Sequence, residues 1–414
     1  MEIIVVAAIM VGFYMAWNIG ANDVANSMAC AVGSKALTVA WAVVLAGICN
    51  FCGAVLVGSH VADTVRKGII STQVFTNDPR MLAHGMLCAL LAAAVWLNLA
   101  SYFSMPVSTT HSIVGAIVGF GILEAGLGHV HWVKLGQIVA SWFISPLAGG
   151  IIAFVIFKLI LRYILSAEEP AVAARKGVPV CVFVVFATIV LAIFYRGLKN
   201  LHLDLSAPAA IALSILCGLF AAGVSGLLTW SNRNCNSESP LAEQLMQVEK
   251  TFAVLVIISS CTVAFAQGAN DVANAIGPLA AVVEIVKTNA VPGRVPVSIG
   301  FLVLGGIGIA IGLATFGYRV MRLVGTKVTE ITPSRGVAAN LAGMMTVLTC
   351  SKMGLPVSTT HTMIGAILGV GLARGITAID RRVVRSIFTS WLATVPIAAG
   401  LTVLFYLIAK LLFW

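Results

Sequence analysis

Apolar runs follow one another along almost the whole chain, at 3–17, 38–58, 82–101, 112–124, 133–162, 178–195, 207–229, 252–266, 275–288, 295–322, 335–350, 357–373 and 383–412. A hydrocarbon core of roughly 30 Å needs about 20 apolar residues of helix, so the longer runs cross it and the shorter ones read as half-helices. None alternates apolar and polar positions over about ten residues as a barrel strand does. The pattern predicts an all-α polytopic membrane protein. The run from Ile3 to Trp17 lacks the basic leader and small-residue cleavage site of a secretory signal, and it is kept as structure. Two polar stretches, Ser166 to Lys176 and Trp230 to Lys250, punctuate the runs. They suggest a first unit at 1–165, linking helices and a polar loop at 166–250, and a second unit at 251–414.

The two outer units repeat each other. Gly-Ala-Asn-Asp-Val-Ala-Asn stands at Gly20 to Asn26 and again at Gly268 to Asn274. Pro-Val-Ser-Thr-Thr-His stands at Pro106 to His111 and at Pro356 to His361, each time ahead of a glycine-spaced helix, Gly115/Gly119 and Gly365/Gly369. Two identical polar strings at nearly one offset, 248 and 250 residues, mark a duplicated unit. A shorter echo, Ser141-Trp142 with Pro146 against Ser390-Trp391 with Pro396, carries it to the end of each unit. Duplicated membrane units are the mark of transporters with a site at the repeat interface, commonly in inverted topology. Loop charge gives partial support: four arginines lie between Arg374 and Arg385, against one lysine between Glu124 and Lys134. Arg66, Lys67 and Arg80 against Arg319, Arg322 and Lys327 show no such asymmetry.

Composition agrees with the pattern, at 60% hydrophobic and 10% charged residues, where soluble domains carry about 25% charge. The net charge of +10 reads as loop charge setting orientation rather than as a nucleic-acid surface. The nine cysteines lie mostly in apolar runs and behave as small hydrophobes. Cys49 and Cys52 form a C-x-x-C with no second pair at zinc-like spacing.

Asp23 and Asp271 are costly in a membrane, about +2.5 to +3.5 kcal/mol at a helix centre, and such residues face partners or water and mark ion pathways. With Gly20 and Gly268 permitting a helix break, freed carbonyls, the carboxylate and the oxygens of Asn22 and Asn26, or Asn270 and Asn274, would form an all-oxygen cage for a hard cation such as sodium. The plain alternative is that Asp and Asn cap a helix start. The Pro-Val-Ser-Thr-Thr-His strings read as helix N-termini, where free N–H groups and the helix dipole bind anions. Ser108, Thr109, Thr110, Ser358, Thr359 and Thr360 would add hydroxyls around one tetrahedral oxyanion. Capping followed by tight Gly-x-x-x-Gly packing is the alternative. No Lys or Arg lies in either string, so a co-bound cation would supply the neutralising charge and thereby the coupling. His111 and His361 are expected to bond a loop carbonyl or to carry a proton. Glu284 and Lys287, three apart, mark a polar helix end in preference to pairing across one turn. Lys352, where the first copy has Tyr102, is a snorkelling residue or a cation for the anion.

At these residues the chain resembles the inorganic phosphate transporter (PiT) family, both of whose halves carry the G-A-N-D-V-A-N signature and the paired P-V-S-T-T-H, matched here without departure. The resemblance covers essentially the full length. It implies about 12 transmembrane segments in two inverted repeats with broken or re-entrant helices, and phosphate bound near the midplane with sodium or protons, sodium ahead of protons. Carried over by position, Asp23, Asn26, Asp271 and Asn274 serve the cation, the six hydroxyls serve phosphate, and Asn22, Asn270 and Gln267 are further candidates. Spacing alone leaves phosphate and sulfate open. An intramembrane enzyme using Ser108 or Ser358 with the nearby His lacks the orienting third group such chemistry needs, so no enzyme is expected. A passive channel fits the paired carboxylates less well. No cofactor beyond the coupling ion, sodium or a proton, is expected, nor any nucleic-acid partner. The expected partners are phosphate, the coupling cation and the lipid bilayer, with a homodimer among the assembly states. Short loops point to a prokaryotic inner membrane.

Overall fold

The computed structural model describes residues 2–413 except 59–67, 196–205, 232–238, 292–294, 296, 354–356, 376 and 378. Arg66, Lys67 and Pro356 lie outside the described residues, as does the side chain of Lys352. The described chain is helical, with one isolated antiparallel bridge between Ile70 and Val130. The first repeat contributes α1 (Glu2–Gly33), α2 (Val39–Val57), α3 (Pro79–Tyr102), α4 (Thr109–Glu124) and α5 (Trp132–Ile160). Two linking helices follow, α6 (Pro170–Tyr195) and α7 (Ala207–Ser231), packed on each other. The second repeat contributes α8 (Leu241–Thr288), α9 (Ile299–Thr315), α10 (Tyr318–Lys327), α11 (Pro333–Lys352), α12 (Thr359–Arg374) and α13 (Arg381–Phe413).

Eight of the described helices are long and apolar enough to cross a bilayer. The pair α9 and α10, bent by 66° at a short break, is long and apolar enough only when the two are taken together. The two helices that open at the hydroxyl strings, α4 and α12, have 16 residues each, about 24 Å of helix, too short for a core of roughly 30 Å. Each packs against its predecessor, α3 or α11, and opens on a buried pair of threonines, Thr109 and Thr110 or Thr359 and Thr360.

The repeats are inverted. Gly12 of α1 lies against Leu279 of α8, while Gln267 of α8 bonds the carbonyl of Asp23 in α1. Residue numbers rise along one helix as they fall along the other, so these equivalent helices run antiparallel. The repeats also exchange contacts. The hairpin helix α4 packs on α13 of the second repeat, and α12 packs on α5 of the first. A side chain on Gly365 or Gly369 would collide with the backbone of Pro146 or Gly150, and one on Gly115 or Gly119 with Val395 or Ala399. The Gly-x-x-x-Gly faces are therefore the seams that hold each hairpin to the opposite repeat.

One expectation fails. Neither α1 nor α8 breaks at the acidic motif: α1 continues to Gly33, and the runs 252–266 and 275–288 are one helix. Gly20 and Gly268 instead allow close crossing, since a side chain there would strike the backbone of Ile309 or Asn50. The motif side chains Asn26 and Asn274 bond hydroxyls of the other repeat while the helix backbone stays continuous. The polar stretch ending at Lys250 supplies the first turns of α8.

Candidate functional site

Ser108 and Ser358 cap their helices, each hydroxyl accepting the N–H of the histidine three residues on, at 3.2 and 3.1 Å. This is the ordinary N-cap bond, and it leaves each hydroxyl hydrogen available to a further acceptor. The next two residues of each helix face the acidic motifs. Asp23 and Asp271 are 2% and 1% exposed. Thr360 donates to Asp23 Oδ1 at 3.1 Å and Asn26 Nδ2 donates to the same oxygen at 3.1 Å, while Thr109 also bonds Asp23. Thr359 donates to Asp271 Oδ2 at 3.1 Å and Asn270 to Asp271 Oδ1 at 2.9 Å.

The asparagines tie the repeats crosswise. Asn26 donates to Thr360 Oγ1 at 2.8 Å, and Asn274 to Thr109 and Thr110 Oγ1 at 3.2 and 3.3 Å. Each signature thus reaches the hydroxyls of the other repeat, and each aspartate meets the first threonine of its own. The hairpin tips meet as well, Thr360 approaching the Val107 carbonyl at 3.4 Å.

Two carboxylates that act on each other electrostatically share this buried cluster, and the groups bonding Asp23 are neutral donors. Asp23 Oδ2 and Asn26 Oδ1 are buried without a hydrogen-bond partner among the described residues. Buried charge without a counter-charge is strongly unfavourable, so the donor set suits a cation with oxygen ligands. The threonines that open α4 and α12 reach the same cluster, and helix starts of this kind, with first-turn N–H groups lacking an intrahelical acceptor, suit an anion.

Two residues have other tasks than sequence suggests. Asn22 donates to Ser101 Oγ and the Met105 carbonyl, both at 3.1 Å, and accepts the Val107 N–H at 3.2 Å. Its amide holds the α3–α4 turn. Gln267 donates to the Asp23 carbonyl at 2.7 Å, pinning α8 to α1, with Oε1 left unpartnered among the described residues.

Among the described residues, the histidines meet no loop carbonyl. His111 and His361 lie edge to face with ring centroids 4.2 Å apart. Trp142 stacks on His111 at 3.7 Å and Trp391 on His361 at 3.6 Å. His361 Nδ1 is 3.4 Å from the helical carbonyl of Trp142, and Trp391 Nε1 donates to the Pro106 carbonyl at 3.1 Å. The paired Ser-Trp echo in the sequence is the one signal that could have found this aromatic floor. Beyond it an apolar cavity of about 580 Å³ opens between α5, α12 and α13. Its walls are mainly hydrocarbon, among them Phe143, Leu147 and Leu392, with His111, His361, Trp142 and Trp391 on the side of the ring stack. Glu284 and Lys287 lie in the last turns of α8.

The profile described as the phosphate transporter family matches residues 19–402. The chain is 42% identical over 423 residues to the inorganic phosphate transporter 2-1, chloroplastic, of Arabidopsis thaliana, covering 96% of this chain and 71% of that one. It is 44% identical over 401 residues to a protein of Pyrococcus abyssi named for a phosphate permease, covering 96% of each. A solved structure described as the sodium-dependent phosphate transporter superposes with a TM-score of 0.89 at 39% identity, covering 99% of both chains.

Proposed function

Since the chain belongs to the phosphate transporter family, we propose that it imports inorganic phosphate by symport with a cation, sodium in preference to a proton. Phosphate sits at the N-termini of α4 and α12, held by first-turn N–H groups and by hydroxyls of Ser108, Thr109, Thr110, Ser358, Thr359 and Thr360. Sodium sits at Asp23 with Asn26 and at Asp271 with Asn274 and Asn270. The observation that carries this reading is the crosswise hydrogen bonding of Asn26 to Thr360 and of Asn274 to Thr109 and Thr110. It makes the acidic motif of one repeat and the hydroxyl string of the other a single buried unit.

Coupling follows from charge. With the anion alone, two carboxylates and a phosphate would share one low-dielectric volume, where like charges repel strongly. With cations alone, the aspartates are neutralised and the threonine hydroxyls that now donate to them are released to an incoming oxyanion. Each ion therefore favours the other, and the absence of a fixed Lys or Arg in the motifs keeps the anion releasable. The solved relative is named as sodium-dependent, which supports sodium as the ion. Short loops support a prokaryotic inner membrane, and the bilayer is the solvent for the helices.

The test is uptake of radiolabelled phosphate into proteoliposomes with and without an inward sodium gradient, with excess unlabelled sulfate as competitor. Sodium-stimulated uptake that sulfate does not reduce is expected. Sulfate uptake with no phosphate uptake would overturn the substrate, and phosphate uptake indifferent to sodium would overturn the ion.

A further inference from the structure

The linking helices α6 and α7 carry none of the repeated motifs, yet they enclose a large space. α6 packs on both α7 and α8, and a cavity of about 1230 Å³ opens between the three helices, above the roughly 300–1,000 Å³ of a usual small-molecule site. Gly226 of α7 lies against Pro179 of α6 and Gly218 against Phe183, so these two helices run antiparallel. α7 ends at Ser231 and α8 starts at Leu241, which gathers Ser225, Gln247, Lys250 and Thr251 at one end of the cavity. The rest is walled by hydrocarbon, with Phe186, Val190 and Ile258 farthest from that end. Leu216, Phe220 and Val254 line the space and are exposed, so it opens sideways to the bilayer.

The polar end is charged and unsatisfied. Lys250 is the one ionised group among the described lining residues, and it has no carboxylate partner among the described residues. Its neighbour Glu249 is taken up elsewhere, accepting the Ser334 N–H at 2.8 Å and the Ser334 hydroxyl at 2.7 Å. Gln247 Oε1 is buried with no hydrogen-bond partner among the described residues. An amide oxygen can only accept, so whatever fills the space beside it brings an O–H or N–H. The Glu249 bond also sets this end level with the start of α11, near Arg335 and the Arg374–Glu330 pair. That is the arginine-rich side, which faces the cytoplasm under the positive-inside rule, where the leaflet carries anionic lipid and basic pockets between helices bind its headgroups.

We propose that the cavity between α6, α7 and α8 binds one anionic phospholipid of this leaflet, with its phosphodiester at Lys250, a headgroup hydroxyl on Gln247 Oε1 and an acyl chain along α7 and α8. The dimensions agree. Val178 to Val190, both in the wall, span about 18 Å of helix, close to half of a hydrocarbon core of roughly 30 Å. The headgroup follows from the two polar groups: a glycerol phosphodiester supplies an anion for Lys250 and a hydroxyl for Gln247. A choline headgroup has no O–H or N–H to give, and a bare hydrocarbon chain would answer neither group. α8 continues unbroken from this end to Asp271, so the lipid braces the helix that carries half of the polar cluster.

The experiment is native mass spectrometry of the purified, delipidated full-length protein, titrated with dioleoyl phosphatidylglycerol or dioleoyl phosphatidylcholine. Wild type is expected to retain one phosphatidylglycerol and to hold it several-fold more tightly than phosphatidylcholine. Lys250→Gln is expected to lose about fivefold in phosphatidylglycerol affinity, the effect of one basic residue facing anionic lipid, and to bind phosphatidylcholine as wild type does. Gln247→Leu is expected to weaken the same lipid selectively. Val254→Trp fills the trench without removing a polar group and is expected to weaken both lipids. Lys158 of α5 is exposed and lies outside the cavity lining, so Lys158→Gln is expected to leave both affinities unchanged. Equal wild-type affinity for the two lipids, an unchanged preference in Lys250→Gln, or an equal loss in Lys158→Gln would each overturn the site. Should Lys250→Gln fail to fold, the wild-type preference and its loss in Val254→Trp decide. A dimer that takes up phosphatidylglycerol only after it is dissociated would assign this face to a second copy and overturn the proposal as well.

Discussion

Thr360 of the second repeat donates to Asp23 of the first at 3.1 Å and accepts from Asn26 at 2.8 Å. One hydroxyl therefore links the proposed anion-binding helix end of one repeat to the proposed cation ligands of the other, across an interface formed by antiparallel copies. Thr360→Val deletes that hydroxyl at nearly constant volume and leaves Asp23 and Asn26 each short of a partner. The expected result is a raised phosphate KM together with a weakened sodium dependence. Thr360→Ser, which keeps the hydroxyl, is expected to stay near wild type. A change in KM alone would mean that the two ions are not read through this residue.

The aspartates give a sharper prediction. Asp23→Asn and Asp271→Asn remove the charge without emptying the space, and each is expected to lower the apparent sodium affinity of phosphate uptake by roughly tenfold or more. The measurement is the sodium concentration for half-maximal uptake at saturating phosphate. Both variants retaining wild-type sodium activation would remove the proposed coupling scheme.

Much of this arrangement is legible in the sequence, because two polar strings repeated in a hydrocarbon-soluble chain have few uses other than a shared site. Asp23, Asp271, Thr109, Thr359 and Thr360 stand out by residue type alone, and the structure brings them together. What sequence could not supply is which hydroxyl meets which carboxylate, since Thr359 and Asp271 lie 88 residues apart, Thr360 and Asp23 lie 337 apart, and the pairing depends on inversion and exchange of the hairpins. The unbroken α1 and α8 were hidden for a related reason. A glycine before an aspartate reads equally well as a break or as a close helix crossing, and only Ile309 and Asn50 on the facing helices decide between them. Asn22 shares a motif with Asn26 yet bonds the turn at Met105, a task that its residue type does not reveal.

That division of labour within one signature is itself testable. Asn22 spends its amide on Ser101, Met105 and Val107, so Asn22→Ala is expected to loosen the α3–α4 turn and leave buried groups unsatisfied, at a cost of about 1–3 kcal/mol. Thermal unfolding in detergent is expected to shift down. The sodium concentration for half-maximal uptake is expected to stay at the wild-type value in the protein that remains folded. A shift in sodium affinity without loss of stability would return Asn22 to the cation site.

The glycine seams carry the last prediction. Gly369 meets the backbone of Gly150 and Gly365 that of Pro146, so there is no flexible side chain that could move aside for an added group. Overpacking of this kind costs about 1–3 kcal/mol or more. Gly369→Leu is expected to lower the unfolding temperature and also to displace α12 from α5. Because Thr359 and Thr360 open α12, that displacement reaches the Asp23 and Asp271 bonds and should weaken phosphate and sodium binding together. Gly400 of α13 has open space around it, and Gly400→Leu on the same helical scaffold serves as the control that should change neither property. Equal stability of the two variants would show that the seam yields, and would undercut the claim that the hairpins are held to the opposite repeats by close backbone contact.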